Sequence, residues 1–407
     1  MKRKQSSHLG ICSEEVNVMP GEKSTRNPYP DVRVNEEERQ HLIDLVSGFI
    51  EEHFQKYEEF VVVDKRQVDE RYWELVKSKD NLHVYTERIH KNARRKSKHA
   101  EDDSATTEKD LAVMLSVGTL VGEVDDLMFG LVCPTQESMS IRTAYVGEID
   151  NGAVLCSVVD ATEEDPFRSI VVKWAKIEMP MQPKSLMKCR DFVYVEATGF
   201  LNLANGDRVG YNVLHSIEFP QTKPQPNMVR ANLSIFSFFR QMQTNVIDNF
   251  TSCIVHPGGK AMRLLFIPIA ARAMLTATNF AYCGQMKKVS RILQQRNAFG
   301  WDVHQQKKDC VVCGKTASKK IRGLGKSTCK LCGGRVCYSC KIRKRISSFS
   351  EDGELIQCKV TFCPQCISTA TGSSTQEAAR DQAKGFKAFD CSVASPQSNE
   401  SVTAYSE

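Results

Sequence analysis

The sequence predicts an α+β protein that carries a second, small metal-binding module. Apolar residues recur at helical spacing near residue 45, alternate as in strands through the middle of the chain, and cover a broad helical face near residue 280. Nine of the sixteen cysteines lie between Cys310 and Cys366, which indicates a local metal site rather than a disulfide framework. At about 100–200 residues per domain, the 407 residues allow two or three folded units. A hydrophobic fraction of 41% excludes a disordered or collagen-like chain.

Charges and prolines without an apolar period predict a disordered arm over residues 1–34. From Asn35 onward, apolar side chains at three- and four-residue spacing predict an amphipathic helix; they are Leu42, Leu45, Val46, Phe49, Ile50 and Phe54. A second helix is predicted over residues 68–76 and a short strand over 82–88. The charged segment 90–110 is predicted to be an exposed loop.

Alternating apolar residues predict a β-rich region in the middle of the chain. A strand at 114–121 and a short helix at 124–132 come first, and Pro134 ends the helix. Further strands are predicted at 154–159, 169–177, 191–197, 208–217 and 229–236, with prolines between some of them where turns belong. A long apolar helix is predicted from Gly259 to about Leu293, with a break or kink at Pro268.

The order of these elements, with KCRDFVYVEATG at 188–199 and NMVRANLS at 227–234, resembles a START domain. The resemblance covers about 230 residues, within a domain assigned to residues 35–295. It implies a helix-grip fold, in which a curved antiparallel sheet grips a long C-terminal helix. START domains hold one lipid in an apolar tunnel between sheet and helix, so residues 267–282 would form the lid. The sequence does not identify the cavity residues, because a pocket wall and a core face have the same period.

The clustered cysteines form four CxxC pairs, and two-residue spacing lets both sulfurs of a pair reach one ion from a tight turn. The eight paired residues are Cys310, Cys313, Cys329, Cys332, Cys337, Cys340, Cys363 and Cys366, while Cys358 is surplus. Eight thiolates suffice for two tetrahedral zinc ions, with iron–sulfur ligation as the minor alternative. So small an apolar content predicts that metal binding supplies the folding free energy of this segment directly.

This spacing resembles the FYVE zinc finger, within a broader FYVE/PHD-type class, and the finger is assigned to residues 296–370. The resemblance implies that pairs one and three bind one zinc ion and pairs two and four the other. It also implies a phosphoinositide headgroup site at Lys326 and Lys330, with Ile321 and Leu324 facing the bilayer. The family's His pair is absent from the stretch 325–330, so the headgroup site is altered. Residues 371–407, rich in small polar residues, are predicted to be a disordered tail.

Charge supports an anionic partner for the finger. Residues 301–366 contain fourteen Lys and Arg against five Asp and Glu, a net charge of +9, so the remainder of the +6 chain carries −3. We therefore expect a non-enzymatic protein that binds a lipid or other hydrophobic ligand and docks on anionic, phosphoinositide-bearing membrane. The competing hypothesis is a protein-interaction or nucleic-acid adaptor with a structural zinc finger and a ligand-free START-like scaffold. The thin aromatic content of the finger disfavours nucleic acid.

The expected location is the cytoplasm, peripherally on endosomal-type membranes. The N-terminus lacks the apolar stretch of a secretory signal. The most apolar window, residues 264–271, is too short for a bilayer span, which needs about 20 residues.

Overall fold

The computed structural model describes residues 27–88, 111–179, 188–258, 263–299, 309–316, 327–349 and 353–385. Within it the chain divides into two compact units. The larger unit comprises Thr25–Ile292 and, after the cysteine cluster, Ile367–Lys384. The smaller unit contains Leu293–Cys366.

The larger unit is built on a ten-stranded sheet. Nine strands follow the order β1-β2-β3-β10-β9-β7-β6-β5-β4, each antiparallel to its neighbours, and the short β8 pairs in parallel with β6. The strands are β1 Trp73–Lys79, β2 Leu82–Glu87, β3 Ala112–Val121, β4 Asn151–Val159, β5 Ser169–Ile177, β6 Cys189–Asn202, β7 Arg208–Ser216, β8 Met228–Arg230, β9 Asn232–Gln243 and β10 Val246–His256. The strands predicted at 82–88, 114–121, 154–159, 169–177, 191–197 and 208–217 are confirmed within a few residues.

Helices cover both faces of this sheet. They are α1 Glu36–Val62, α2 Val124–Leu131, α3 Gln136–Val146, α4 Arg263–Leu275 and α5 Phe280–Phe299, with a 3₁₀ turn at Thr276–Asn279 between the last two. Helix α1 begins where predicted because Asn35 caps it: its side chain accepts from the Glu38 backbone N–H, and Glu38 bonds back to Asn35. The α+β class with a large antiparallel sheet and a long C-terminal helical segment is therefore confirmed.

Period-two alternation gives the sheet two apolar faces. On β9, Phe236 and Phe238 point to the α1 side, while Phe239 belongs to the core on the side of α2 and α4. On β6, Val193 and Tyr194 divide in the same way. We call these the outer face, under α1, and the inner face, under α2 and α4.

The smaller unit contains two short hairpins and the start of a helix. Strands β11 Ser327–Thr328 and β12 Arg335–Val336 form one hairpin, and β13 Ile342–Phe349 and β14 Leu355–Phe362 form the other. Helix α6 begins at Pro364, just after Cys363, and runs to Thr371.

The helix predicted over residues 68–76 is wrong. Helix α1 ends at Val62, Lys65 and Arg66 follow with φ angles of 50° and 61°, and the chain then enters strand β1 at Trp73. These left-handed residues prevent α1 from continuing as a right-handed helix. Residues 73–79 form a strand because they pair with β2, and the turn between the two strands contains Asp80 with a φ of 52°.

Further elements differ from the sequence-based expectation. Helix α3 and strand β10 were not predicted, and the strand predicted at 229–236 is two strands, β8 and the longer β9. Pro268 lies inside α4, and the interruption occurs instead at Thr276–Asn279. At the sixth position of α4, Pro268 removes the bond to the carbonyl of Leu264 and its ring crowds that carbonyl, but Leu264 is 71% exposed.

The segment Arg263–Arg296 has the length and composition of a bilayer span, contrary to the estimate from the window 264–271. Core helices of soluble proteins pass the same test. In this fold Phe266, Ile267 and Ala271 of that segment pack into the inner core. About a third of the segment's most apolar window, 33%, is buried in the fold.

Both predicted disordered ends contain ordered residues. Tyr29 and Val32 are buried in the outer core, and the Tyr29 hydroxyl donates to the carbonyl of Lys223. In the tail, helix α7 spans Thr375–Ala383 and packs Ala378 and Ala379 into the inner core. Small residues give no strong apolar period, so the sequence did not reveal this helix. Residues 1–26 and 386–407 lie outside the described residues.

Helix α7 is fixed to the larger unit by buried charges. Lys288 of α5 lies 2.6 Å from Asp126 of α2, and both side chains are almost fully buried. The Thr375 hydroxyl donates to Asp126 at 2.5 Å, and Arg291 donates through Nε to Asp381 at 2.7 Å. The chain therefore returns to the larger unit after the cysteine cluster.

Candidate ligand cavity and metal centres

A cavity of about 160 Å³ lies on the inner face of the sheet, under α4 and the 3₁₀ turn. Apolar side chains from five strands form its floor, among them Phe192, Leu214, Ile235 and Phe239. Pockets that hold drug-sized ligands measure about 300–1,000 Å³. The cavity therefore has the chemistry of a lipid site but requires movement of a wall to admit a whole lipid.

The helical wall is the part best suited to such movement. Ala270, Ala273 and Ala277 line the cavity and leave space beside the sheet, and Met274 adds an adaptable side chain. These residues lie within the segment 267–282 that the START resemblance implies as the lid. The break at Thr276–Asn279 divides this wall into two helices, α4 and α5.

One end of the cavity is charged. The Arg142 guanidinium of α3 donates to Oε1 of Glu196 on β6 at 2.7 Å and to the carbonyl of Leu131 at 3.0 Å. The Lys173 ammonium of β5 donates to the other oxygen of Glu196 and lies 3.0 Å from the Cys133 sulfur. Burial alone would raise the pKa of Glu196, but Arg142 and Lys173 outweigh it and lower that pKa to about 2. Glu196 is therefore an ionised group held between two cations.

Glu148 is the fourth member of this charged end and is ion-paired with Arg142. Its Oε1 lies 2.5 Å from Nε of Arg142 but not in hydrogen-bond geometry, and among the described residues neither of its oxygens has a hydrogen-bond partner. Burial raises the pKa of Glu148. Together with Asn212, which also lines the cavity, Glu148 offers polar atoms to a ligand that reaches this end.

Sequence reasoning missed these polar residues, although a pattern could have shown two of them. Lys173 lies inside the apolar strand SIVVKWAKI and Glu196 inside DFVYVEATG. Charged residues are almost never fully buried unless they are paired. Opposite charges inside two neighbouring buried strands therefore indicate a buried ion pair.

The eight paired cysteines form two groups. The sulfurs of Cys310, Cys313, Cys337 and Cys340 lie within 4.8 Å of one another, and so do those of Cys329, Cys332, Cys363 and Cys366. This is the grouping that the FYVE resemblance implies. None of the eight is in a disulfide.

The spacing of the sulfurs fits a tetrahedral ion. With zinc–sulfur bonds of about 2.3 Å, tetrahedral geometry places sulfurs about 3.8 Å apart, and the Cys313 and Cys337 sulfurs are 3.7 Å apart. Backbone N–H groups point at the sulfurs: that of Cys337 donates to Cys310 at 3.3 Å and that of Cys366 to Cys363 at 3.4 Å. Although burial acts to raise it, such donors lower the pKa of Cys310 to about 6, which favours the thiolate that binds metal.

Local turns bring the paired cysteines together. The Gly314 N–H donates to the carbonyl of Cys310, and the Gly333 N–H to that of Cys329. Both glycines have φ near 70°, a backbone conformation that residues other than glycine rarely adopt. Each turn directs two sulfurs toward the same point.

The predicted headgroup residues are only partly described. Ile321, Leu324 and Lys326 lie outside the described residues. Lys330 is half-buried, and its backbone N–H donates to the carbonyl of Thr361, so β14 fixes its backbone. Cys358 is buried on β14 and belongs to neither group of four.

The larger unit thus belongs to the class of α+β folds in which a C-terminal helix closes an apolar cavity on an antiparallel sheet. Similar solved structures are StAR-related lipid transfer domains. Human STARD10 is 13% identical, with 60% of this chain and 84% of that chain covered and a TM-score of 0.38. Human StAR-related lipid transfer protein 5 is 14% identical, with 60% of this chain and 98% of that chain covered and a TM-score of 0.40. The StAR-related lipid transfer protein of Xanthomonas axonopodis is 13% identical, with 53% of this chain and 99% of that chain covered and a TM-score of 0.36.

Sequence comparison adds no family: no protein-family model matches the chain, and no curated protein matches it. The structural likenesses are too remote to establish membership of a family. The chain's own cavity and cysteine groups carry the functional argument.

Proposed function

We propose that the larger unit is a non-enzymatic lipid-binding domain of START-like type. The observation that carries this proposal is the inner cavity, apolar along the sheet and helix α4 and charged at the Arg142–Glu196 end. A ligand with an apolar body and a small polar group matches both parts. An apolar body contributes about 25 cal/mol per Å² of surface removed from water, while the polar group bonds to Glu148 or Asn212.

Native mass spectrometry of the full chain with added lipid mixtures tests this proposal. We expect one bound amphiphile per chain. Ala273→Phe, which fills the cavity from α4, should abolish that adduct. The matched control, Leu264→Phe, places the same side chain at an exposed position of the same helix and should retain it. A wild-type chain that binds no lipid under any of these conditions would refute the proposal and favour the adaptor hypothesis.

We further propose that the smaller unit holds two structural zinc ions in a FYVE-related finger. Eight thiolates in two groups, with one sulfur separation of 3.7 Å, support zinc over ions that prefer oxygen ligands. Elemental analysis of the full chain should give two zinc ions per chain. Iron in their place would overturn the choice of metal.

The finger's proposed role is docking on anionic, phosphoinositide-bearing membrane, peripherally and at endosomal-type surfaces. Each basic residue near such a surface contributes about 1 kcal/mol, which is about fivefold in affinity. In liposome co-sedimentation of the full chain, Lys326→Ala with Lys330→Ala should weaken binding about 30-fold by the same estimate. The control, Lys65→Ala with Lys77→Ala, removes equal charge from the larger unit and should have little effect. Equal binding by the two double variants would refute the headgroup assignment.

A further inference from the structure

A second cavity, of about 480 Å³, lies on the outer face of the sheet. Its walls are the C-terminal half of α1, the segment that follows α1, and the start of β1. Phe236 and Phe250 line the sheet side, while Phe60 and Trp73 line the opposite side. Its volume falls within the range of about 300–1,000 Å³ found for small-ligand pockets. We call it the outer cavity.

Two residues that line the outer cavity each carry a buried polar atom without a partner. Nδ1 of His53 and Oγ of Ser252 are both buried, and within the described part of the chain neither makes a hydrogen bond. The His53 side chain is itself more than nine-tenths buried. Nearly all buried polar atoms of native proteins have a hydrogen-bond partner. Two such atoms at one cavity leave hydrogen bonds that a ligand, once it reaches them, can supply.

The fold places these two atoms beside the same aromatic ring. Ser252 on β10 is in register with Phe236 on β9 and with Leu115 on β3. The His53 imidazole stacks on the Phe236 ring, with centroids 3.5 Å apart and planes 11° from parallel. His53 from the helix and Ser252 from the sheet therefore flank Phe236 from different elements.

The charges around the outer cavity disfavour an anionic ligand. Asp64 and Asp69 line it, and Asp69 is paired with Arg71 at 2.5 Å. Among the described lining residues the one lysine, Lys56, is paired with Glu52 at 2.7 Å, which leaves Asp64 as the carboxylate without an ion pair. Burial, assisted by Lys56, lowers the pKa of His53 to about 4, so the imidazole is neutral at pH 7. A neutral ligand with a polar group and an apolar body fits this lining.

We propose that the outer cavity binds a neutral, flat aromatic alcohol whose hydroxyl bonds to His53 and Ser252. A hydroxyl both donates and accepts, so it can pair with the serine hydroxyl and with either tautomer of the imidazole. The ring packs among Phe60, Trp73 and Phe250, where offset and edge-to-face aromatic contacts are favourable. This site lies on the opposite face of the sheet from the lipid cavity and does not depend on lipid binding.

The test titrates the full chain at pH 7 with three probes, 2-naphthol, 2-methylnaphthalene and 2-naphthoate, by isothermal calorimetry. We expect 2-naphthol to bind and 2-naphthoate to bind at least about tenfold more weakly, because it is an anion. Ser252→Ala and His53→Phe should each weaken 2-naphthol about five- to tenfold. Neither should weaken 2-methylnaphthalene, which lacks the hydroxyl. Circular dichroism and melting temperature establish that each variant is folded.

Ala273→Phe locates the site, because it fills only the inner cavity and should leave 2-naphthol binding unchanged. The proposal is overturned if 2-naphthol does not bind, if Ser252→Ala and His53→Phe bind it as tightly as wild type, or if Ala273→Phe abolishes its binding.

Discussion

The larger and smaller units are stabilised in different ways. In the larger unit two apolar cores lie on opposite faces of one sheet, and strands of that sheet supply side chains to both. Among the described residues of the smaller unit few apolar side chains are buried, such as Val336, Ile346 and Phe362, and eight thiols lie in two groups. The comparison shows that removing one kind of interaction should unfold one unit and spare the other.

Metal removal should produce the largest difference in stability between the two units. Structural zinc contributes about 10–16 kcal/mol of binding free energy in small fingers, far more than the few buried apolar residues can replace. A zinc chelator, or Cys329→Ser, should abolish hydrogen-exchange protection in residues 327–362 while strands of the larger unit keep theirs. Cys156→Ser, outside both groups, is the control and should change neither. Undiminished protection of residues 327–362 after chelation would show that the unit folds without metal.

The buried charges of the inner cavity should give the next largest effect, confined to the larger unit. Glu196→Gln leaves Lys173 buried without its counter-charge and Arg142 with Glu148 alone, and breaking a buried pair costs about 3–5 kcal/mol. The measurement is the free energy of unfolding of the larger unit in urea. Glu36→Gln removes a partner of Arg39 from an exposed pair, where the expected loss is at most about 1 kcal/mol. Equal losses in the two variants would contradict the role assigned to Glu196.

Helix α7 sharpens the comparison because it follows the finger yet packs on the larger unit. Asp126→Asn weakens bonds to Lys288 and Thr375, and hydrogen bonds to charged groups contribute about 1.5–3 kcal/mol. We expect a loss of that size, with faster hydrogen exchange in residues 375–383. Glu163→Gln, which affects only the exposed pair with Lys384, should change α7 little. If Asp126→Asn leaves exchange in α7 unaltered, the ionic contacts do not fix the helix.

The smallest expected effect is a pH dependence of the larger unit from His53. Its folded pKa is lowered to about 4 by burial, so the unfolded chain binds a proton first as pH falls. Stability from this group is complete above pH about 6.5 and is lost as pH falls toward 4. One pKa unit corresponds to about 1.4 kcal/mol, and the ring's position beside an open cavity keeps the effect near that size. In urea titrations, His53→Phe should reduce the dependence of the free energy of unfolding on pH between pH 6.5 and 4. An unchanged dependence would refute the role assigned to His53.

Regular periodicity made much of the larger unit predictable. Helix α1 and strands such as β5 and β7 follow from alternation or helical spacing alone. The segment 68–76 failed because its second half pairs with β2 as strand β1, and helical spacing does not reveal a strand partner. Helix α7 failed because its buried residues are alanines.

The sites differ in the same way. Cysteine ligands are adjacent in sequence, so the CxxC pairs predicted the metal chemistry, while their grouping came from the resemblance to FYVE fingers. The inner cavity assembles Arg142, Lys173 and Glu196 from three elements far apart in the chain. Only the fold brings such residues together, so a sequence shows them at most as charges misplaced in apolar strands.

The most direct test of lipid binding by the larger unit is photo-crosslinking of the full chain with a diazirine-bearing fatty acid, followed by peptide mapping. Lipid in the inner cavity predicts adducts on residues 266–280 of the helical wall and on residues 233–239 of β9, and their loss in Ala273→Phe. Adducts confined to the outer face near Trp73, or none in either region, would contradict it.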